Sequence, residues 1–212
     1  MKKHRGILIT FEGIDGCGKS TQARKLCARL RSQGYDVLLI REPGGTPTSE
    51  KIRRVLLDRK LTISPKAELL LYEAARAHLT ETVIDPALKA GRIVICDRYF
   101  DSTTAYQGYG RGLNLALIGR LNGVASLNIT PNLTFVFDID YDTSCARRGS
   151  RPDRLEGEKR AFFERVRRGF RSLGHLWRVV ILDGRQDKAF VFDQVLRRAE
   201  GLIRRKTRPH AG

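Results

Sequence analysis

A chain of 212 residues is long enough for one well-buried core, and no linker-like stretch divides it, so a single domain over 1–212 is expected. Its 41% hydrophobic and 30% charged residues exclude a disordered or fibrous chain, and no apolar run approaches membrane-crossing length. A net charge of +17 admits polyphosphate substrates or nucleic acid as partners. The arginines are scattered, at Arg53-Arg54, 147–171, Arg197-Arg198 and Arg204-Arg205, without interleaved aromatics, so solvated helix faces explain them better than a specific nucleic-acid surface. Cys17, Cys27, Cys96 and Cys145 show no C-x-x-C spacing, which argues for reduced thiols rather than a zinc site or disulfide framework. The basic start Met1-Lys2-Lys3-His4-Arg5 runs straight into an apolar strand and makes a poor signal peptide, so the cytoplasm is the expected compartment.

In chain order, Gly6-Ile7-Leu8-Ile9-Thr10-Phe11 is a short apolar run of strand length. The following stretch, Gly13-Ile14-Asp15-Gly16-Cys17-Gly18-Lys19-Ser20-Thr21, fits G-x-x-x-x-G-K-[ST], and Ala23, Leu26, Cys27 and Leu30 then recur at helical spacing until Gly34. Val37-Leu38-Leu39-Ile40 is a second strand, closed by the proline and paired glycines of Arg41-Glu42-Pro43-Gly44-Gly45-Thr46. A helix carries Ile52, Val55 and Leu56, and Ser64-Pro65 caps a long helix on which Tyr72 and Arg76, four apart, share a face. Asp85-Pro86 begins or kinks another helix, ending at Gly91. Ile93-Val94-Ile95-Cys96, 133–137 and 179–182 are further strands, followed by Asp97, Asp138 and Asp183. The stretch 147–157 has four arginines and little apolar periodicity and reads as a mobile basic loop. A last helix spans 188–205, with a basic tail over 206–212. Five strands alternating with helices predict a parallel sheet covered on both faces, with ligands outside the carboxyl ends of its strands.

The glycine loop turns its N–H groups into one concavity that suits a phosphate chain; Lys19 adds mobile charge and the Ser20 hydroxyl suits Mg²⁺. Asp97, at a strand end, is placed to hold Mg²⁺ through water, and Arg98 to fork a phosphate. No basic residue stands between Gly13 and Lys19, which raises the need for arginines from elsewhere; Arg147, Arg148, Arg151 and Arg154 of the basic loop supply candidates. Cys17 lies beside a helix N-terminus, where thiolate is favoured; the plainer reading is a small residue in a tight loop.

Asp97-Arg98-Tyr99 with Ser102 and Ala105-Tyr106-Gln107-Gly108 resembles the thymidylate kinases. So do Arg41-Glu42-Pro43-Gly44-Gly45-Thr46, Leu71-Tyr72-Glu73-Ala74-Ala75-Arg76 and Asp153-Arg154-Leu155-Glu156, and the likeness covers about 7–202. The resemblance implies an α/β P-loop nucleoside-monophosphate-kinase fold with a lid at about 147–157. It further implies transfer from ATP to dTMP with Mg²⁺, and a homodimer. By the same resemblance Tyr72 stacks on thymine, Arg76 bonds its O4, Thr103 faces the base and Tyr106 crowds the sugar 2′ position. Asp15 matches the residue that reaches the 3′-hydroxyl and Arg98 the holder of the acceptor phosphate, while Pro43, Ser102 and Gln107 complete the dTMP set. Lys19, Arg98, Arg147, Arg148 and Arg151 are the implied catalytic group, as in family members with lid arginines. Two other readings remain: a deoxynucleoside kinase with Glu42 as general base, and a nucleic-acid-stimulated ATPase exploiting the charge.

Overall fold

The computed structural model describes residues 6–148 and 153–207. Arg151 lies outside them, as does the end of the tail from 208. The first strand, β1 (Ile7–Glu12), is buried along its whole length. It lies at the centre of a parallel sheet with β2 (Val37–Arg41), β3 (Ile93–Asp97), β4 (Leu133–Asp138) and β5 (Val179–Asp183), in the order β2-β3-β1-β4-β5. All neighbours are parallel, and Thr10 faces Cys96 on one side and Thr134 on the other. Each strand falls within a residue or two of the run that predicts it.

Alternation along β1 divides the core. Ile7, Ile9 and Phe11 pack with Leu26, Leu30, Phe135, Phe137 and Val195 on one face, while Leu8 joins Ile40, Leu79, Val94 and Tyr99 on the other. Glu12 shares the period-2 face of Leu8 and Thr10 and enters that second layer fully buried.

Around the sheet run α1 (Lys19–Ser32), α2 (Pro47–Leu57) and α3 (Pro65–Leu79). Thr46 and Ser64 cap α2 and α3 as side-chain acceptors, with proline at the first helical position of each. The sequence suggests a fresh start or a kink at Asp85-Pro86; the chain stays helical through a π turn, Thr80–Ile84, into α4 (Asp85–Lys89). Proline lacks the N–H that an interior helical turn needs, and a wider turn just before it absorbs the mismatch.

After β3 come α5 (Phe100–Thr103), a second π segment (Thr104–Gly110) and α6 (Leu115–Ala125). After β4 come α7 (Tyr141–Arg147) and α8 (Arg160–Ser172), and α9 (Lys188–Thr207) follows β5. Helix α7 enters the stretch expected to be a loop by one residue: Arg147 is its last residue and Arg148 its C-cap. Neither α6 nor α8 is anticipated by the sequence, although α8 buries Phe162, Phe163, Val166 and Phe170 along one stripe. The arginines between those apolar positions hide the stripe.

Candidate active site

The phosphate-loop sequence joins β1 to α1. Gly13 has φ +133°, and a Cβ there would stand 2.6 Å from the Phe137 carbonyl oxygen, so glycine is required. Gly18 precedes α1 at φ +94° and offers no side-chain cap, which leaves the N–H groups of the first turn for an anion. Asp15, Gly16, Cys17, Gly18, Lys19, Ser20 and Thr21 all line one cleft, together with Arg147, Arg148 and Lys188. Ile14 instead points into the core, so its part in the loop is its backbone.

Asp15 organises the cations. One of its carboxylate oxygens accepts from Lys19 Nζ at 3.0 Å and from Arg98 Nη2 at 2.6 Å. Burial pushes the Asp15 carboxyl up, but the charges of Arg98 and Lys19 overcome it and hold the group well below the usual carboxylate range. Arg98 sits at φ +71°, rare for a side-chain-bearing residue. It also donates to the Gly13 carbonyl oxygen and the Ser102 hydroxyl, and its guanidinium lies 5.2 Å from the centre of the Tyr106 ring.

Glu12 holds this turn in place. Its carboxyl oxygens accept from the Tyr99 N–H at 2.7 Å and the Ser102 hydroxyl at 2.5 Å. Burial, and then the neighbouring Asp101 charge, push Glu12 up to about 8.

A second cleft is lined by every residue that the sequence assigns to dTMP: Asp15, Pro43, Tyr72, Arg76, Arg98, Ser102, Thr103, Tyr106 and Gln107. Asp15 borders both clefts. Arg76 is only 2% exposed and is held from several sides. Its Nε donates to Glu42 Oε2 at 2.8 Å, its Nη1 to Glu73 Oε2 at 3.0 Å and Asn122 Oδ1 at 3.2 Å, and its Nη2 to Thr103 Oγ1 at 3.0 Å. A guanidinium carries five N–H donors, so one Nη2 proton remains for an acceptor in the cleft. Burial would lower the Arg76 cation's affinity for its proton, but Glu42 and then Glu73 hold it above the arginine range. Burial pushes Glu42 up to about 7 despite Arg76. Glu42, the base a deoxynucleoside kinase would need, is thus committed to Arg76 through Oε2.

The acidic and basic candidates divide by their partners. Asp97 Oδ1 is buried without a hydrogen-bond partner among the described residues, and Asp97 borders the same groove as Ser20. A hydroxyl and an unspent carboxylate oxygen are the oxygen donors that Mg²⁺ takes, alongside water and substrate phosphates. Asp138, at the end of β4, is instead engaged by Arg167 through two bonds of 2.5 and 2.8 Å. Arg147 Nη1 donates to the Gly184 carbonyl oxygen at 2.7 Å, and Arg148 Nη1 to that of Glu156 at 3.0 Å, both at the edge of the phosphate cleft. Arg154 points elsewhere, donating to the Leu56 carbonyl oxygen at 2.8 Å and pairing with Glu68 at 2.7 Å. The suggestion of an activated Cys17 is corrected: the residue is 2% exposed, and burial pushes its thiol up rather than down, beyond what nearby Lys19 offsets.

A family profile described as Thymidylate kinase matches residues 11–195. The chain belongs to the thymidylate kinase family. It is 44% identical over 203 residues to a thymidylate kinase of Caldanaerobacter subterraneus subsp. tengcongensis, covering 94% of this chain and 98% of that one. It is 46% identical over 190 residues to one from Chlorobaculum tepidum, covering 84% and 89%. The crystal structure of a thymidylate kinase from Ehrlichia chaffeensis superposes with a TM-score of 0.75 at 36% identity, covering 92% of this chain and 98% of that chain. The five-stranded parallel sheet with flanking helices is the P-loop nucleoside monophosphate kinase fold of that family, whose phosphoryl donor is ATP.

Several residues in or behind the second cleft escape sequence reasoning. Arg53 of α2 borders it and donates to the Pro43 carbonyl oxygen at 2.9 Å, a second cation near Arg98. Its signal was available as the arginine beside Ile52 on the helix that follows the proline loop. Glu73 and Asn122 act through Arg76, and no spacing links Asn122 to it, because α3 and α6 meet only in the fold.

Proposed function

We propose that the chain phosphorylates dTMP to dTDP with ATP, a step towards dTTP. The observation that carries this reading is the junction at Asp15 of a phosphate-loop cleft and a cleft bearing an aromatic, a buried arginine and a threonine. Such a junction brings donor and acceptor phosphates together, and phosphoryl transfer needs little else than positioning and charge stabilisation. The acceptor is already an anionic oxygen, so no general base is required.

Tyr72 stacks on the base, and the remaining Nη2 proton of Arg76 meets its O4, with the Thr103 hydroxyl beside it. Pro43, Ser102 and Gln107 close the base and sugar site, Tyr106 disfavours a 2′-hydroxyl, and Asp15 receives the 3′-hydroxyl. Arg98 and Arg53 hold the acceptor phosphate. The backbone from Gly13 to Thr21 and Lys19 hold the donor, while Arg147, Arg148 and Arg151 close over the transferred group from a lid at about 147–157. Ser20 and, through water, Asp97 would hold Mg²⁺, which would supply charge to offset that of the donor phosphates.

A homodimer fits the apolar residues left on α3 and α6, where Leu70 is 56% and Val124 74% exposed. Four free cysteines suit the reducing cytoplasm, and no described helix is long and apolar enough to cross a membrane. Direct detection of dTDP from dTMP and ATP tests the function: it should form, and stop when the divalent cation is chelated. Absence of dTDP from folded protein would overturn the reading, and formation undiminished by chelation would overturn the role of Mg²⁺.

A further inference from the structure

Glu68, on the first turn of α3, is the most heavily used carboxylate near the second cleft, yet it does not border that cleft. It is completely buried. Its Oε1 accepts from Gln107 Nε2 at 2.9 Å and Arg111 Nε at 3.1 Å, and its Oε2 from Arg111 Nη2 at 3.0 Å. Arg154 Nη2 forms an ion pair with Oε2 at 2.7 Å. Burial alone would push this carboxyl up; the bonds from Arg111 and Gln107, the Arg111 charge and the Arg154 contact hold it below the usual range.

The donors come from different parts of the chain. Gln107 belongs to the π segment and borders the cleft. Arg154 lies in the 153–158 stretch, whose Asp153 and Leu155 also border the cleft. Arg111 ties the same stretch a second time, through Glu158 at 2.5 Å, with its guanidinium 4.7 Å from the centre of the Phe162 ring.

A carboxylate only accepts hydrogen bonds, so Glu68 dictates which end of the Gln107 amide faces it. The nitrogen bonds Glu68 on α3, which leaves the carbonyl oxygen as the end of the amide not spent on that carboxylate. The amide can then offer a cleft ligand an acceptor, complementing Arg76, which can only donate. Arg154 brings its own constraint, because a lid displaced from the cleft strips one cation from a buried carboxylate, which is unfavourable.

We infer that Glu68 is a positioning residue that couples closure of the 153–158 stretch to recognition of the nucleobase, by fixing the Gln107 amide and the Arg154 guanidinium on one carboxylate. The inference rests on the second cleft being the dTMP site. A ligand that engages the Gln107 oxygen favours the closed stretch, and a closed stretch keeps Gln107 set for the ligand, since coupling between two sites is reciprocal.

Calorimetric titration with dTMP and steady-state kinetics on Glu68→Gln, Gln107→Ala, their double variant and Arg154→Met test it. Glu68→Gln should weaken dTMP binding about tenfold with KM for ATP within about twofold, and lower the preference for dTMP over dCMP. Gln107→Ala added to it should cost little more. Hydrogen exchange over 153–158 should quicken in both Glu68→Gln and Arg154→Met, and bound dTMP should slow it less than in the parent chain. Arg154→Met leaves Glu68 with Arg111, and keeps the test alive if Glu68→Gln does not fold. Unchanged dTMP affinity and base preference in Glu68→Gln, multiplicative losses in the double variant, or lid exchange in Arg154→Met that responds to dTMP as in the parent would each overturn the coupling. Tyr72→Ala separates the two levels: if it too leaves dTMP binding unchanged the cleft assignment fails, whereas weakened binding there with an indifferent Glu68→Gln overturns the coupling alone.

Discussion

The two clefts that meet at Asp15 are built in opposite ways. On the phosphate-loop side the ligand groups are mostly backbone, set by Gly13 and Gly18 and by the open end of α1, with Lys19 and Arg98 gathered on one carboxylate. On the other side the cleft is lined by side chains from α2, α3, the turn after β3 and the π segment, and Arg76 and Gln107 among them are oriented by further buried side chains. Backbone recognises what all nucleotides share, the phosphate chain, and therefore needs no supporting layer. Recognition of one base needs fixed donors and acceptors, and those are costly to bury unless every group is paired.

That contrast is sharpest at Arg98, a side chain of the second cleft that is tied to the phosphate loop through Asp15 and the Gly13 carbonyl oxygen. Arg98→Ala should lower kcat about 10²- to 10³-fold, as loss of a charge-stabilising donor does, with a smaller change in either KM. A near-native turnover number would remove it from the transferred group. Arg76→Ala acts on one side only. It should lower kcat/KM for dTMP by about 10- to 100-fold and leave KM for ATP within about twofold. It should also destabilise the fold by about 3–5 kcal/mol, because it strands the buried carboxyls of Glu42 and Glu73, as a denaturant titration would register. Equal losses for both substrates would break the division between the clefts.

Tyr106→Ala is expected to lower discrimination between dTMP and its ribose counterpart by about tenfold, from competition kinetics. Unaltered discrimination would make Tyr106 a packing residue only. The pH dependence of stability is a smaller signal with a defined sign. Glu12 and Glu42 are pushed up to about 8 and about 7, against an ordinary value of 4.5. The unfolded chain releases those protons first, so the contribution of these two groups is full below pH 4.5 and is lost as pH rises towards 8. Melting temperature at constant salt should fall over that interval, and Glu12→Gln should flatten the fall; a steeper slope in that variant would contradict the assignment. The mildest test is chemical: a thiol reagent should label exposed Cys145 in the native chain and leave buried Cys17 untouched until it unfolds.

The sheet is legible in the sequence because its strands are short, continuous apolar runs, and the phosphate loop because its glycine spacing is a backbone requirement. Helix α2 shows in the spacing of Ile52, Val55 and Leu56, and α3 in Ser64-Pro65. Where charge interrupts periodicity, as in α8, or glycines dilute it, as Gly119 and Gly123 do in α6, the helix is hidden. The cleft-lining residues Tyr72, Arg76, Arg98 and Tyr106 are recognisable by resemblance to a family. Glu12, Glu68, Glu73 and Asn122 are not: they touch the functional side chains rather than a ligand, and their partners lie 87, 39, 3 and 46 residues away. Only the pair Glu73–Arg76 falls at helical spacing, where it is indistinguishable from an ordinary surface ion pair.

The central claim is that a general phosphate site is joined to a selective pyrimidine monophosphate site. Its most direct test is kcat/KM for ADP formation with dTMP, dCMP, thymidine and DNA offered separately under the same ATP and Mg²⁺. A large preference for dTMP over dCMP, with no turnover on thymidine and no stimulation by DNA, is the predicted result. Comparable rates with dTMP and dCMP, or turnover with thymidine in place of dTMP, would contradict it.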